Sequence, residues 1–327
     1  MPNKRFLWLL FVLFGLLVAG ESFARFGLDL GTPPLSVADP QIEYMFKPDQ
    51  DVYRFGNHII INHYGMRTKP FPDQHQAGEI RIMVFGDSVL NGGNLTDHED
   101  LATTILRDKV ETATEKNVIV GNISAGSWGP GNWLAYAKKF RFFGADIIVL
   151  VVSSHDYADN PTFEPLNPNT HPTHRPVSAL LEGAVRYLPR YMPSFSSPGD
   201  SNDPTAFTDP PSAAKQQGLA DLAEFLELAK KNTRHVLVFQ HWEREEVERG
   251  VANAGNIAIQ DLCAKIGIST VQLQPYFKQA IKNGENPYRD NIHPNQIGQR
   301  LIGQAIFDQI SDNNLLTSRS NVLSSTN

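Results

Sequence analysis

The sequence predicts an α/β protein built on a five-stranded parallel sheet with helices on both faces, and three observations lead there. Five short strand-like runs, at 82–85, 118–123, 146–152, 235–240 and 269–273, are too short for helices, and the first and third are almost wholly apolar, the first as in a strand buried on both faces. Amphipathic helical patterns alternate with them, the arrangement of βαβ units. The first three runs each end in a turn of small or polar residues: Gly86-Asp87-Ser88, Ser124-Ala125-Gly126-Ser127 and Ser153-Ser154-His155-Asp156. In open α/β sheets, ligands bind at the carboxyl ends of the strands.

At 327 residues the chain has room for one large domain or two small ones, and enough length to bury a core. Its net charge of −6 carries no block of like charge, which argues against a nucleic-acid partner. Cys263 is the single cysteine, so an intramolecular disulfide and a cysteine-based metal site are both excluded. It falls in a helical run, 257–266, and reads as a small core residue.

In chain order, Lys4 and Arg5 precede fifteen uncharged, mostly apolar residues, 6–20. As a helix these span about 22 Å, short of a bilayer's roughly 30 Å core, which fits a secretory h-region or a short signal anchor. Ser22-Phe23-Ala24 offers a small-x-small cleavage site between Glu21 and Arg25, so cleavage and anchoring of residues 1–25 both stand. No cysteine follows the apolar stretch, which excludes a lipoprotein. The remainder is expected to be exported, periplasmic or otherwise extracytoplasmic.

Residues 26–80, rich in turn formers, read as a lead-in that wraps the main domain, 81–312, with one strand pair around 53–62. After Ser88, Thr96 and Glu99 have capping-box spacing ahead of an apolar stripe at Leu101, Ile105, Leu106 and Val110. Further helices are expected at 133–143, 213–231, 243–266 and 296–310, the last capped by Asn295. Residues 157–212 hold eleven of the 22 prolines around a helical island at 177–188. Because α/β alternation resumes directly afterwards, this stretch reads as an insertion facing the site rather than a domain boundary. Residues 313–327 are expected to be a disordered tail.

Ser88, delivered at the end of the first strand, is a candidate nucleophile, although a Gly-Asp-Ser tripeptide occurs by accident in roughly one chain in ten of this length. The plain alternative is a capping serine. His293 follows the last strand and reaches the same edge of the sheet. Asp290, three residues earlier, is close enough to fix its tautomer, which completes nucleophile, base and orienter. A loop histidine capping the final helix is the alternative.

Together these blocks resemble the SGNH/GDSL hydrolase superfamily over roughly residues 80–310. Gly86-Asp87-Ser88, with Gly92 four residues on, matches its nucleophile block, and Asp290, His293 and Pro294 match its Asp-x-x-His-Pro block. The resemblance implies a flavodoxin-like three-layer α/β/α sandwich with a central five-stranded parallel sheet, and ester chemistry without metal or cofactor. It implies an oxyanion hole from the Ser88 amide and a glycine after the second strand, best matched by Gly126 and less well by Gly121 or Gly129. Where the family has Gly-x-Asn-Asp, this chain has Ser153-Ser154-His155-Asp156. His155 either donates an N–H to the oxyanion in place of the asparagine or packs the turn. A metal on His155, Asp156 and Asp159 is a third, disfavoured reading, since the serine mechanism asks for none. Trp128 either stacks on a sugar ring or packs against its helix.

The expectation is an exported serine esterase of O-acylated carbohydrate, working through an acyl-enzyme on Ser88. An O-acetyltransferase acting on an exported polysaccharide or the cell wall is the first alternative. An inactive glycan-binding or scaffold subunit of an export machinery is the second. Export, an acidic surface and a polar insertion favour a glycan over a lipid substrate.

Overall fold

The computed structural model describes residues 3–188 and 210–316. The expected tail beyond 316 lies outside the described residues, as does the part of the insertion from 189 to 209. One long helix, α1 (Lys4–Gly27), opens the chain and is long and apolar enough to cross a membrane. Two antiparallel pairs follow: β1 (Ser36–Asp39) with β2 (Glu43–Phe46), and β3 (Gln50–Arg54) with β4 (Asn57–Ile61). The second is the pair expected around 53–62. The first was not anticipated, being two four-residue strands with little alternation.

The main domain comprises β5 (Ile80–Gly86), α2 (Ser88–Asn91), α3 (Ala102–Thr114), β6 (Val118–Ser124), α4 (Pro130–Phe140) and β7 (Ile147–Ser153). A short helix α5 (Ala179–Glu182) runs into a π turn at Gly183–Tyr187. Then come α6 (Ser212–Asn232), β8 (His235–His241), α7 (Arg244–Arg249), α8 (Ala254–Lys265), β9 (Thr270–Gln272), α9 (Gln274–Lys282) and α10 (Gln296–Asp312).

The five main strands form one parallel sheet in the order β6-β5-β7-β8-β9. Numbered by appearance that is 2-1-3-4-5, the flavodoxin-like order. Alternate residues of β5 enter opposite cores. Met83 and Phe85 join Trp133, Tyr136, Phe225 and Cys263 on one face; Ile82 and Val84 join Leu106, Val110, Ile302 and Ile306 on the other. The result is a three-layer α/β/α sandwich, with α4, α6 and α8 on one side and α3, α9 and α10 on the other.

Three local expectations need correction. The helix expected over 243–266 is two, because Gly250 takes a left-handed conformation (φ 71°) that closes α7. Thr96 does not cap: Asp97 Oδ1 accepts from the Glu99 amide, a 3₁₀ turn occupies His98–Asp100, and α3 begins at Ala102. Trp133 lies inside α4, which starts at Pro130 because proline at the first turn forfeits no hydrogen bond. The Asn295 cap is present, its Oδ1 accepting from the Ile297 and Gly298 amides.

The lead-in is tied down by buried arginines. Arg67 donates to the carbonyls of Asn91, Gly93 and Thr96, bracing the loop that follows α2. Arg54 is fully buried and pairs with Glu182 of α5 at 2.6 Å, joining lead-in to insertion.

Candidate active site

Ser88 stands at the first position of α2, immediately beyond the end of β5. Asp87 caps that helix, its Oδ1 accepting from the Val89 amide at 2.9 Å. Gly86 is needed for space rather than for an unusual φ: a Cβ there would lie 2.8 Å from Leu90 Cβ and 3.1 Å from the Val151 carbonyl. Trp133 Nε1 donates to the Gly86 carbonyl at 2.9 Å and holds the strand end in place.

The turn after α9 is built just as locally. The Arg289 amide donates to the His293 carbonyl, and the Asn295 amide to the Pro287 carbonyl, closing a narrow loop. Within it Asp290 Oδ1 accepts from the Ile292 amide at 2.9 Å and the His293 amide at 2.7 Å. Burial works against the Asp290 charge, but these amides and the His293 ring outweigh it and hold the carboxyl below its usual range. His293 Nδ1 lies 2.9 Å from Asp290 Oδ2, and Nε2 lies 3.0 Å from Ser88 Oγ. Residues 205 positions apart in sequence thus form one hydrogen-bonded run.

Among the three glycines considered for the second turn, Gly126 lies beside Ser88 and lines the same cavity of about 200 Å³. Gly121 is inside β6, packed against Met83, and Gly129 is pressed against the Asp159 carbonyl. The Ser88 and Gly126 amides donate to no partner among the described residues. Tyr44 of β2 donates its hydroxyl to the Gly126 carbonyl. Arg186 and His171 of the insertion, and Arg289, also line the cavity. Trp128 is buried, with Nε1 donating to the Tyr44 carbonyl at 3.0 Å, so its ring packs the protein and is closed to a sugar.

His155 is turned to other partners. Its Nε2 lies 3.1 Å from Asp87 Oδ2 and 3.5 Å from Asp156 Oδ1, and its Nδ1 lies 3.4 Å from Glu243 Oε1. Burial alone would depress the imidazole, but the Asp156, Asp87 and Glu243 carboxylates overcome it and hold its pKa well above the usual value. With both nitrogens occupied, neither N–H is left for an oxyanion at Ser88, contrary to the role weighed for it. The chain continues from Glu243 Oε2 to Asn291 Nδ2 at 3.2 Å. His155 therefore links the residue before Ser88 to the residue after Asp290.

Asp87, His155 and Asp156 present ligand atoms within 4.8 Å of one another. The imidazolium supplies positive charge beside Asp87, while burial and the neighbouring Asp87 charge push Asp156 well above the usual carboxylate range. Asp159, weighed with His155 and Asp156 as a ligand, is outside this group; burial, with the nearby charges of Asp87 and Glu43, pushes it up to about 6. Sequence reasoning missed Tyr44, Glu243 and Arg186. Only Glu243 had a signal, its place two residues beyond the end of β8 at the sheet's carboxyl edge.

No family model matches the chain, and no curated protein matches it. Solved structures do show a likeness in backbone. A member of the lipolytic G-D-S-L family from Veillonella parvula is 12% identical, with TM-score 0.41 over 71% of this chain and 98% of that one. A lipase/acylhydrolase from Enterococcus faecalis is 13% identical, with TM-score 0.44 over 72% and 96%. A catalytic mutant of an acetylxylan esterase from Geobacillus stearothermophilus is 11% identical, with TM-score 0.44 over 73% and 96%. In its strand order, its Gly86-Asp87-Ser88 turn and its Asp290-x-x-His293-Pro294 turn, the chain is similar to the SGNH/GDSL hydrolases.

Proposed function

We propose that the chain is a serine ester hydrolase of the SGNH/GDSL type, with Ser88 as nucleophile, His293 as general base and Asp290 as its orienter. The observation that carries this reading is the run Ser88 Oγ–His293 Nε2, 3.0 Å, and His293 Nδ1–Asp290 Oδ2, 2.9 Å. His293 Nε2 takes the Ser88 proton as Oγ attacks the acyl carbon. The oxyanion is held by the Ser88 and Gly126 amides. His293 returns the proton to the leaving alcohol, leaving the acyl group on Ser88. A water, deprotonated by the same nitrogen, then releases the acid.

A cavity of about 200 Å³ rimmed by Arg186 and Arg289 suits a short acyl group on a polar alcohol. An O-acetylated glycan is the substrate class this favours. The apolar helix α1 supports export and retention at a membrane. The same acyl-enzyme can pass its acyl group to a sugar hydroxyl, so the test is turnover of p-nitrophenyl acetate with and without an oligosaccharide acceptor. Hydrolysis that Ser88→Ala abolishes supports the esterase. A burst without turnover, released by the acceptor, would make it a transferase. No reaction with either, and no fluorophosphonate labelling, would overturn the serine mechanism.

A further inference from the structure

Residues 177–188 are built inside out. A surface helix normally turns apolar residues inward and charges outward. Here Glu182 is the buried residue, paired with Arg54 at 2.6 Å and with Arg186 at 2.7 Å, beside fully buried Ala179. Facing out are Val177, Leu181, Val185 and Leu188, which are 98%, 61%, 52% and 51% exposed. Leu181 and Val185, four residues apart, lie on one side of α5 and the π turn that continues it, while Val177 precedes the extended Ser178 cap and Leu188 closes the segment.

The segment adjoins the end of α1. Glu21 of α1 accepts from the Ala179 and Leu180 amides, at 3.0 and 2.9 Å, and from Ser178 Oγ at 2.8 Å. Ala24 is buried against Leu30 and Ala179. Gly20 ends the apolar run, and a Cβ there would lie 3.3 Å from Leu180 Cδ2. The inverted segment therefore sits at the level where the apolar stretch of α1 stops and charged residues begin. That is the level at which an anchor helix meets lipid headgroups.

We propose that residues 177–188 are a second membrane contact, seating Val177, Leu181, Val185 and Leu188 in the interface of the bilayer that α1 enters. The proposal rests on the reading of α1 as a membrane anchor. It gives the inverted pattern a cause: the outer face meets lipid, and the charges turn inward to Arg54. It also sets the site's position. Arg186, on this segment, lines the cavity that contains Ser88, so that cavity is held beside the membrane surface, where an ester carried on a membrane-tethered glycan would be met.

The test uses the full chain in liposomes of phosphatidylcholine and phosphatidylglycerol, with single cysteines at Phe14→Cys, Leu181→Cys and Val185→Cys labelled with NBD. Cys263 is buried and its thiol is pushed up to about 11, so it does not take the label at neutral pH. Emission at 181 and 185 is expected to shift to the blue and to be quenched by doxyl lipids, as at 14. Quenching at 14 with probes at 181 and 185 that stay water-exposed would overturn the proposal while leaving the anchor intact. Probes at 181 and 185 that are shielded but insensitive to doxyl lipids would also overturn it, in favour of a protein partner. A probe at 14 that escapes quenching would remove the anchor reading, and this proposal with it.

Discussion

His293 and His155 lie in turns that leave the same edge of the same sheet, and each has a carboxylate oxygen within 3.1 Å of a ring nitrogen. They differ in how many. His293 has Asp290 on Nδ1, which leaves Nε2 to face Ser88 Oγ. His155 has Asp87 on one nitrogen, with Asp156 3.5 Å away, and Glu243 on the other, so both of its nitrogens face the protein's own carboxyl groups. One carboxylate orients an imidazole and leaves it able to exchange a proton. Three convert it into a fixed cation whose work is to hold other residues.

The largest expected effect separates the two by activity. Ser88→Ala and His293→Ala should each lower ester turnover by roughly 10³-fold or more. Both side chains are partly exposed, so urea unfolding should change by only about 0.5 kcal/mol. A His293→Ala enzyme that kept its rate would break the comparison, since His293 would not then be the base.

His155→Ala should do the reverse. It strips the cation from buried Asp87, Asp156 and Glu243, a loss of about 3–5 kcal/mol in chemical denaturation. Rates measured well below the unfolding midpoint should fall far less than for His293→Ala. His155→Asn, which installs the amide common among SGNH enzymes, should be nearly as unstable as alanine because it too lacks the charge. If asparagine instead recovered a kcat that alanine had lost by 10²–10³-fold, His155 would be an oxyanion donor and the three-carboxylate account would fail.

Titration sharpens the same contrast. The folded-state pKa of His155 is raised, so its contribution is complete below the unfolded value of about 6.5 and is lost as pH rises through the folded value. His241 works oppositely. Burial pushes it down to about 4, so below about 6.5 the unfolded chain binds a proton that the folded protein refuses. Stability should therefore fall by on the order of 3 kcal/mol between pH 6.5 and 4. His241→Gln should flatten this acid limb, leaving the share due to His98, which burial also pushes down to about 4. His155→Gln should flatten the alkaline limb of a Tm-against-pH curve. Unchanged limbs in both variants would show that neither ring has the charge state described.

What was legible in the sequence follows the same division between local and distant partners. The Ser88 turn and the Asp290–His293 turn are short, and their key hydrogen bonds run within three residues, so the motif carries its own geometry. The sheet was legible because apolar runs dictate burial. The surroundings of His155 were not legible because they come from Asp87 and Glu243, 68 and 88 residues away. Likewise the lead-in is organised by Arg54 and Arg67, whose partners lie in α5 and in the loop after α2, and a lone arginine among turn formers announces neither. The crowding of Gly86 by Leu90 and the Val151 carbonyl likewise has no local signature.

The smallest effect tests how the lead-in reaches the chemistry. Tyr44 is part of β2, yet its hydroxyl donates to the carbonyl of Gly126, whose amide is the proposed second oxyanion donor. Burial pushes the phenol above its usual range, so it remains a donor at any working pH. Two more bonds fasten the same strand region to the second turn and to α4: Trp128 Nε1 to the Tyr44 carbonyl at 3.0 Å, and Asn132 Nδ2 to the Ile42 carbonyl at 2.7 Å. Tyr44→Phe keeps the ring and removes one bond of the three, so stability should fall by about 1 kcal/mol. If the hydroxyl also aims the Gly126 peptide, the loss should appear in the transition state, as roughly a 5-fold lower kcat with KM unchanged. A variant that loses the stability but keeps its kcat would leave Tyr44 as a brace that does not aim the Gly126 peptide.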